Sequence, residues 1–322
     1  MTVQHLAVKP TPIPVTVVAG FLGAGKTTLV NHILKGDHGL RIAVVVNDFG
    51  SINIDAELIS DVGEGMVSLA NGCICCVIRS DLISAVLQLA DRPERPDHIV
   101  IESSGVADPA SVERALMVPE IWNSVQFEGV ISVVDGDQAL AFADEHVGLG
   151  ELQVRGGDLI ILNKIDLVND EQLAAARSWI REIKPGAQIL ETTYCSLPTE
   201  ILLGTLMGKR PAGLPVVIGN HQSHGHAFES WSYESKLPLQ LGLFQELLKH
   251  LPPTLIRAKG FLFAADKQHQ RLVLQLIGRR ATLAVNGSWN DEPPLTRLVF
   301  IARNETVNFE AVEKALDGCR NI

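Results

Sequence analysis

Gly20-Phe21-Leu22-Gly23-Ala24-Gly25-Lys26-Thr27 decides the fold. It matches G-x-x-x-x-G-K-[ST] at every fixed position and lies between a short β-branched run, Pro14–Ala19, and a helix-like segment, Lys26–Lys35. A strand that passes through a glycine-rich turn into a helix makes a phosphate cradle. The glycines let the backbone wrap closely around phosphate oxygens with its N–H groups pointing inward. Lys26 is expected to reach the β- and γ-phosphates, and the Thr27 hydroxyl to ligate Mg2+. Gly20, Gly23, Ala24, Gly25 and Thr28 complete the expected nucleotide contacts. The bland alternative is a chance glycine-rich turn, against which the flanking strand and helix both count.

Working outward, apolar runs alternate with helix-like segments. Ile42–Val46, His98–Ile101, Val130–Val134, Leu159–Leu162 and Gln188–Glu191 read as strands, and Ser80–Ala90 and Glu171–Ile183 as helices. Such alternation implies right-handed βαβ units: an α/β fold of the P-loop NTPase kind, a parallel sheet with helices on both faces. Composition changes around Gly208–Gly225, where glycines and prolines precede His221, His224 and His226. Beyond it, Glu229–Glu234, Leu272–Ile277 and Leu298–Ala302 read as strands, and Leu241–Leu251 and Phe309–Leu316 as helices. The expected division is a nucleotide domain over 1–210, a His-containing linker over 211–227 and a smaller C-terminal α/β domain over 228–322.

Asn163-Lys164-Ile165-Asp166 follows the run Leu159–Leu162 and has the guanine-reading N-K-x-D pattern. The Asp166 carboxylate can accept from guanine N1–H and the 2-amino group, which adenine does not offer in that arrangement. A buried acceptor left unpaired costs roughly 1–3 kcal/mol, so this geometry selects GTP over ATP. Lys164 is expected along the base and Asn163 as a brace. The position at the end of a strand strengthens the reading, because open α/β sheets bind ligands at that edge. Glu102-Ser103-Ser104-Gly105 ends another strand: Glu102 is expected to hold Mg2+, and the Gly105 N–H to approach the γ-phosphate. Asp48, in Asn47-Asp48-Phe49-Gly50, is a further candidate for Mg2+ or the attacking water, although Asp and Gly are also ordinary turn residues.

The bulk properties exclude other classes. The chain has 322 residues, 20% of them charged and 46% hydrophobic, with a formal net charge of −10. A nucleic-acid-binding domain is normally basic, so nucleic acid is not an expected partner. No run reaches a membrane span, and the first residues lack the apolar core of a secretory signal, so a cytoplasmic location is expected.

Three of the five cysteines fall within Gly72-Cys73-Ile74-Cys75-Cys76. In a reducing compartment such clustering points to metal or redox chemistry. Cys73 and Cys75 are two apart, so an extended backbone places both sulfurs on one side. Cys76 leads into a helix, whose dipole favours a thiolate. Thiolates suit Zn2+ and Cu+, and less selectively Co2+ or Ni2+. A tetrahedral metal would need a fourth ligand: water, a carboxylate or a partner's side chain. Buried inert cysteines or a redox couple remain the alternatives. His221, His224 and His226 could scavenge metal weakly or belong to a solvated linker. Cys195 and Cys319 stand apart and read as structural.

In this order, residues 20–27, 73–76, 102–105 and 163–166 resemble the CobW family of P-loop GTPases, relatives of the hydrogenase and urease nickel-insertion GTPases. Phe228-Glu229-Ser230, Lys259-Gly260-Phe261-Leu262 and Leu298-Val299-Phe300-Ile301 agree with that resemblance. It implies a GTP-dependent metallochaperone for zinc or cobalt, with nickel behind them. Lys26, Thr27, Glu102 and Gly105 then take phosphate and Mg2+ roles. Asn163, Lys164 and Asp166 read guanine, and Cys73, Cys75 and Cys76 hold the delivered metal. The implied partners are GTP or GDP and a metal-requiring client protein, with the chain a monomer or a metal-linked dimer. Several relatives carry glutamates flanking the Asp48 loop; the corresponding places here are Val46 and Ser51. The competing readings are a signalling GTPase with a structural zinc site, and a metal buffer with little GTPase role.

Overall fold

The structure, a computed structural model, describes residues 11–47, 66–69, 76–139, 147–204, 216–218, 228–289 and 293–320. The first region runs β1 (Ile13–Gly20), α1 (Lys26–Lys35), β2 (Ile42–Asn47), β3 (Met66–Leu69), α2 (Cys76–Ala90), β4 (His98–Ser103), α3 (Pro109–Leu116), β5 (Val125–Asp135), α4 (Val147–Gly156), β6 (Leu159–Asn163), α5 (Asp170–Ile183) and β7 (Ile189–Glu191). The strands form one seven-stranded sheet in the order β3-β2-β4-β1-β5-β6-β7. Every pairing in it is parallel. Strands covered on both faces need apolar residues at nearly every position, which is why Ile13–Gly20 and His98–Ser103 read as continuous apolar runs. Successive residues feed opposite cores: Val18, Val44, Val46 and Val100 join Leu29 and Ile33 of α1, while Val17, Val45, Ile99 and Ile101 join Leu82 and Val86 of α2.

After a short helix α6 (Thr199–Leu203), a six-stranded antiparallel sheet follows: β8 (Val216–Ile218), β9 (Phe228–Ser235), β10 (Leu255–Phe263), β11 (Gln270–Ile277), β12 (Arg280–Ser288) and β13 (Thr296–Arg303). Their order is β12-β11-β10-β13-β9-β8. One face buries Trp231, Leu274 and Phe300 against Phe244 of α7 (Leu241–Lys249) and Phe309 of α8 (Phe309–Asp317). The other sends Phe228, Ile256, Ile277 and Ile301 into the α1 side of the first sheet. Within the stretch 211–227, the described residues Val216–Ile218 form a strand that pairs antiparallel with β9.

The two sheets meet through a polar joint. The β1–β5 register slips between Val15, opposite Phe127, and Thr16, opposite Gly129, so Glu128 is an extra residue in β5. A bulge of this kind re-aims its side chain. The buried Glu128 carboxylate accepts from Arg257 at 3.1 Å, Lys259 at 2.7 Å and Gln275 at 2.8 Å, all three on the second sheet. Against burial, which would raise it, Lys259 and Arg257 hold the Glu128 carboxyl down to about 2.

Candidate functional site

Each expected nucleotide residue that the structure describes lies at the carboxyl ends of the central strands. β1 delivers Gly20, β4 delivers Glu102 and Ser103, and β6 delivers Asn163. The strand order turns outward on either side of β1, the crevice where open α/β sheets hold ligands.

The phosphate loop closes because two positions carry no side chain. Gly20 has φ +139°, and a Cβ there would stand 2.2 Å from the Val133 carbonyl oxygen. At Gly105 a Cβ would meet the Leu22 backbone nitrogen at 2.7 Å. A side chain at 105 would thus strike the protein's own 20–27 loop. Residues 20–27 and the turn after β4 are thereby in direct contact. Lys26 is buried and donates from Nζ to the Phe21 carbonyl at 3.1 Å. Thr28 is exposed on the first turn of α1.

Thr27 Oγ1 donates to Glu102 Oε1 at 2.7 Å, and Glu102 is only 1% exposed. Two hard oxygen atoms, one anionic, stand side by side next to the phosphate loop, and such a donor set suits Mg2+.

The residues expected to read the base are braced from behind. Asn163, also buried, donates from Nδ2 to Ala24 O at 3.0 Å and accepts the Cys195 N–H at Oδ1, again at 3.0 Å. Lys164 adopts a left-handed φ of 60°. Its Nζ pairs with Asp135 Oδ2 at 2.7 Å, while Asp135 Oδ1 accepts the Asp137 N–H. Asp166, in the short turn Ile165–Leu167, is exposed and open to a ligand.

Two participants escaped the sequence reading. Asp135 gave no motif signal beyond its place at the end of an apolar strand. Cys195 follows β7, with φ +55° beside Tyr194 at +53°, and its Sγ donates to Gly25 O at 3.4 Å. Burial pushes this thiol up to about 12, which makes it a packing and bracing group and not a thiolate ligand. Cys319 is likewise a free buried cysteine.

Asp48, Ser51, Cys73, Cys75, His221, His224 and His226 lie outside the described residues, as does the side chain of Cys76, the first residue of α2. Val46, opposite Glu102 in the neighbouring strand, is buried in the core. Among the described residues no group of three or more His, Cys, Asp or Glu is placed to hold a metal ion, and no helix is long and apolar enough to cross a membrane.

The chain is similar to known proteins over most of its length. Residues 14–191 match the family model described as CobW/HypB/UreG, nucleotide-binding domain, and residues 228–320 match the cobalamin synthesis protein cobW C-terminal domain. The zinc chaperone CobW of Pseudomonas aeruginosa is 34% identical over 333 residues, covering 90% of this chain and 88% of that protein. A Sinorhizobium protein named zinc chaperone CobW is 31% identical over 338 residues, covering 91% and 93%. The crystal structure of Zn(II)-bound YjiA GTPase from E. coli aligns at 26% identity and a TM-score of 0.47, over 97% of this chain and 100% of that one. With one family model spanning the phosphate loop through the guanine motif and the other spanning the second sheet, the chain belongs to the CobW family of P-loop GTPases.

Proposed function

We propose that this protein is a GTP-hydrolysing metallochaperone that binds zinc or cobalt through Cys73, Cys75 and Cys76 and releases it to a client protein when GTP is hydrolysed. The nucleotide domain is 1–210 and the CobW-type domain 228–322. The observation that carries the proposal is a register. Leu69, the last residue of β3, is opposite Asn47, and Asn47 is opposite Ser103. Leu69, four residues before Cys73 in sequence, therefore lies two strands, or roughly 10 Å, from the strand end that bears Glu102. The chain returns as α2 at Cys76. The zinc-chaperone names of the two CobW relatives support zinc as the cargo.

In the hydrolysis step, water attacks the γ-phosphorus of GTP and the bond to the β–γ bridging oxygen breaks, leaving GDP and phosphate. Lys26 offsets the charge that builds on the β- and γ-phosphates. The Gly105 N–H meets the γ-phosphate, and Asp48 orients the water. Thr27 and Glu102 would hold Mg2+, which supplies charge neutralisation of the phosphates. Asp166 selects guanine, with Lys164 along the base. Positioning and electrostatics do nearly all the work in such a reaction, so turnover without a partner is expected at about 10⁻⁴–10⁻² s⁻¹. In this proposal, closure of the phosphate loop and the Asp48 loop around GTP tightens the cysteine segment, and hydrolysis loosens it. Linkage makes the effect reciprocal, typically about 5–150-fold.

The test is a Zn2+ and Co2+ titration against a chelator probe with GDP and with a non-hydrolysable GTP analogue, using Cys75→Ala as control. Tighter metal binding with the analogue, lost in the variant, supports the proposal. Equal metal affinity in both nucleotide states leaves a GTPase with a structural metal site.

A further inference from the structure

Helix α4 carries one buried side chain that touches both halves of the phosphate site. Gln153, 2% exposed, accepts the Gly20 N–H at Oε1 at 2.8 Å and donates from Nε2 to the Ala107 carbonyl at 2.7 Å. Gly20 opens the phosphate loop, and Ala107 is two residues past Gly105. The polarity of the amide is fixed by its partners, since reversing it would set donor against donor and acceptor against acceptor. The helix is also seated directly on the start of α3: a Cβ at Gly156 would stand 2.8 Å from Pro109 Cβ. Residues 104–108 therefore have their position set by α4 as well as by the strand they leave.

We propose that Gln153 is the positioning residue for γ-phosphate recognition. Its amide fixes the separation between Gly20 and Ala107, and so the approach of the Gly105 N–H to the phosphate loop. It touches no phosphate. This rests on the reading that residues 20–27 and Gly105 take the phosphates of GTP. The consequence is selective: the bridge matters for a nucleotide with a γ-phosphate and little for GDP, which is held by the phosphate loop and the guanine motif.

The experiment compares wild-type protein, Gln153→Leu, Gln153→Glu and Lys26→Ala by fluorescent GDP and GTP-analogue binding and by GTP turnover, with Leu152→Gln as a control on the exposed side of α4. Gln153→Leu loses both hydrogen bonds, and the analogue-to-GDP affinity ratio should fall roughly 5–10-fold, the scale of one neutral hydrogen bond. Gln153→Glu adds a signature that a merely structural role would not give. Ionised, one carboxylate oxygen still accepts from Gly20 while the other stands as an acceptor against Ala107 O; protonated, its C=O still accepts from Gly20 and its O–H donates to Ala107. Burial raises a carboxyl pKa, so the ratio should be low at about pH 8 and recover toward wild type by about pH 5.5, whereas the wild-type amide does not titrate. A wild-type ratio and turnover in both variants at every pH would overturn the proposal. Should neither variant fold, the exchange of the Gly20 amide in wild-type protein decides: slow exchange is expected, and exchange at the rate of a solvated amide overturns it. Lys26→Ala tests the underlying site separately. If it binds both nucleotides as wild type does, the phosphate-site reading fails, and the proposal with it.

Discussion

Asn163 Nδ2 donates to the carbonyl oxygen of Ala24 at 3.0 Å, so the turn proposed to read the base is tied to the loop proposed to hold the phosphates. The residues are 139 apart in sequence, and the bond is buried. Asn163→Ala would orphan both Ala24 O and the Cys195 N–H. Each buried unsatisfied group costs about 1–3 kcal/mol, so thermal stability should fall measurably. GDP and GTP-analogue affinities should fall together, because both nucleotides use both loops. Calorimetric titration checks this; loss confined to the GTP analogue would show that the brace acts on the γ-phosphate loop instead.

Glu102→Gln keeps an acceptor for the Thr27 hydroxyl but removes the negative charge. Its expected effect is on the Mg2+ dependence of turnover. Loss of one electrostatic contribution at a transition state costs roughly 10²–10³ in rate, so turnover at limiting Mg2+ should fall on that scale. GDP binding without Mg2+ should be near wild type. Turnover measured across a Mg2+ titration distinguishes this from a folding defect.

Glu128→Ala would leave the Arg257 guanidinium, 4% exposed, without its carboxylate at the joint between the sheets. Breaking a buried ion pair on one side costs about 3–5 kcal/mol, whereas replacing both partners with apolar residues of similar size is often tolerated. The urea midpoint should drop sharply for Glu128→Ala and recover substantially in Glu128→Leu combined with Arg257→Met. Equal midpoints for the single and double variants would contradict this account.

His98 supplies a pH dependence. It is fully buried at the start of β4, shares a 2.9 Å hydrogen bond with Thr16, and burial lowers its pKa from 6.5 to about 3. The folded protein keeps it neutral while the unfolded chain takes up a proton below about pH 6.5, so stability is complete above that pH and declines as pH falls toward 3. One unit below the unfolded value the loss is about 1.4 kcal/mol or less. The melting temperature should therefore drop from pH 7 to pH 5.5, and His98→Gln should flatten that part of the profile. An unchanged slope in the variant would assign the effect elsewhere. Below about pH 4.5 the protonation of Glu128, whose folded carboxyl titrates near 2, adds a second loss of the same sign.

Much of the nucleotide half was legible in sequence because its signals are local. Lys26–Lys35 was read with both bounds as they stand, since a glycine loop precedes it and the helix ends at Gly36. Strands buried on both faces announce themselves as apolar runs. Helix α4 was not legible: Gly148, Gly150 and Gly156 weaken its intrinsic propensity, and packing decides it. Strand β10 was hidden by Arg257 and Lys259, charges that a period-2 pattern assigns to solvent but that Glu128 holds inside.

What the sequence determined by itself was the family and the contiguous motifs that go with it: Gly20–Thr27, which we propose cradles phosphate, Asn163–Asp166, which we propose reads guanine, and the cysteine cluster at 73–76. Such motifs are read from spacings of a few residues. The tertiary structure decided which distant groups stand behind those motifs. Asp135 meets Lys164, Cys195 meets Gly25 and Asn163, and Gln153 meets Gly20 and Ala107. None of these partners has a spacing rule. They are neighbours because a parallel sheet brings the carboxyl ends of separate strands to one edge, and because a polar group buried there must find its partner in whatever element packs against it.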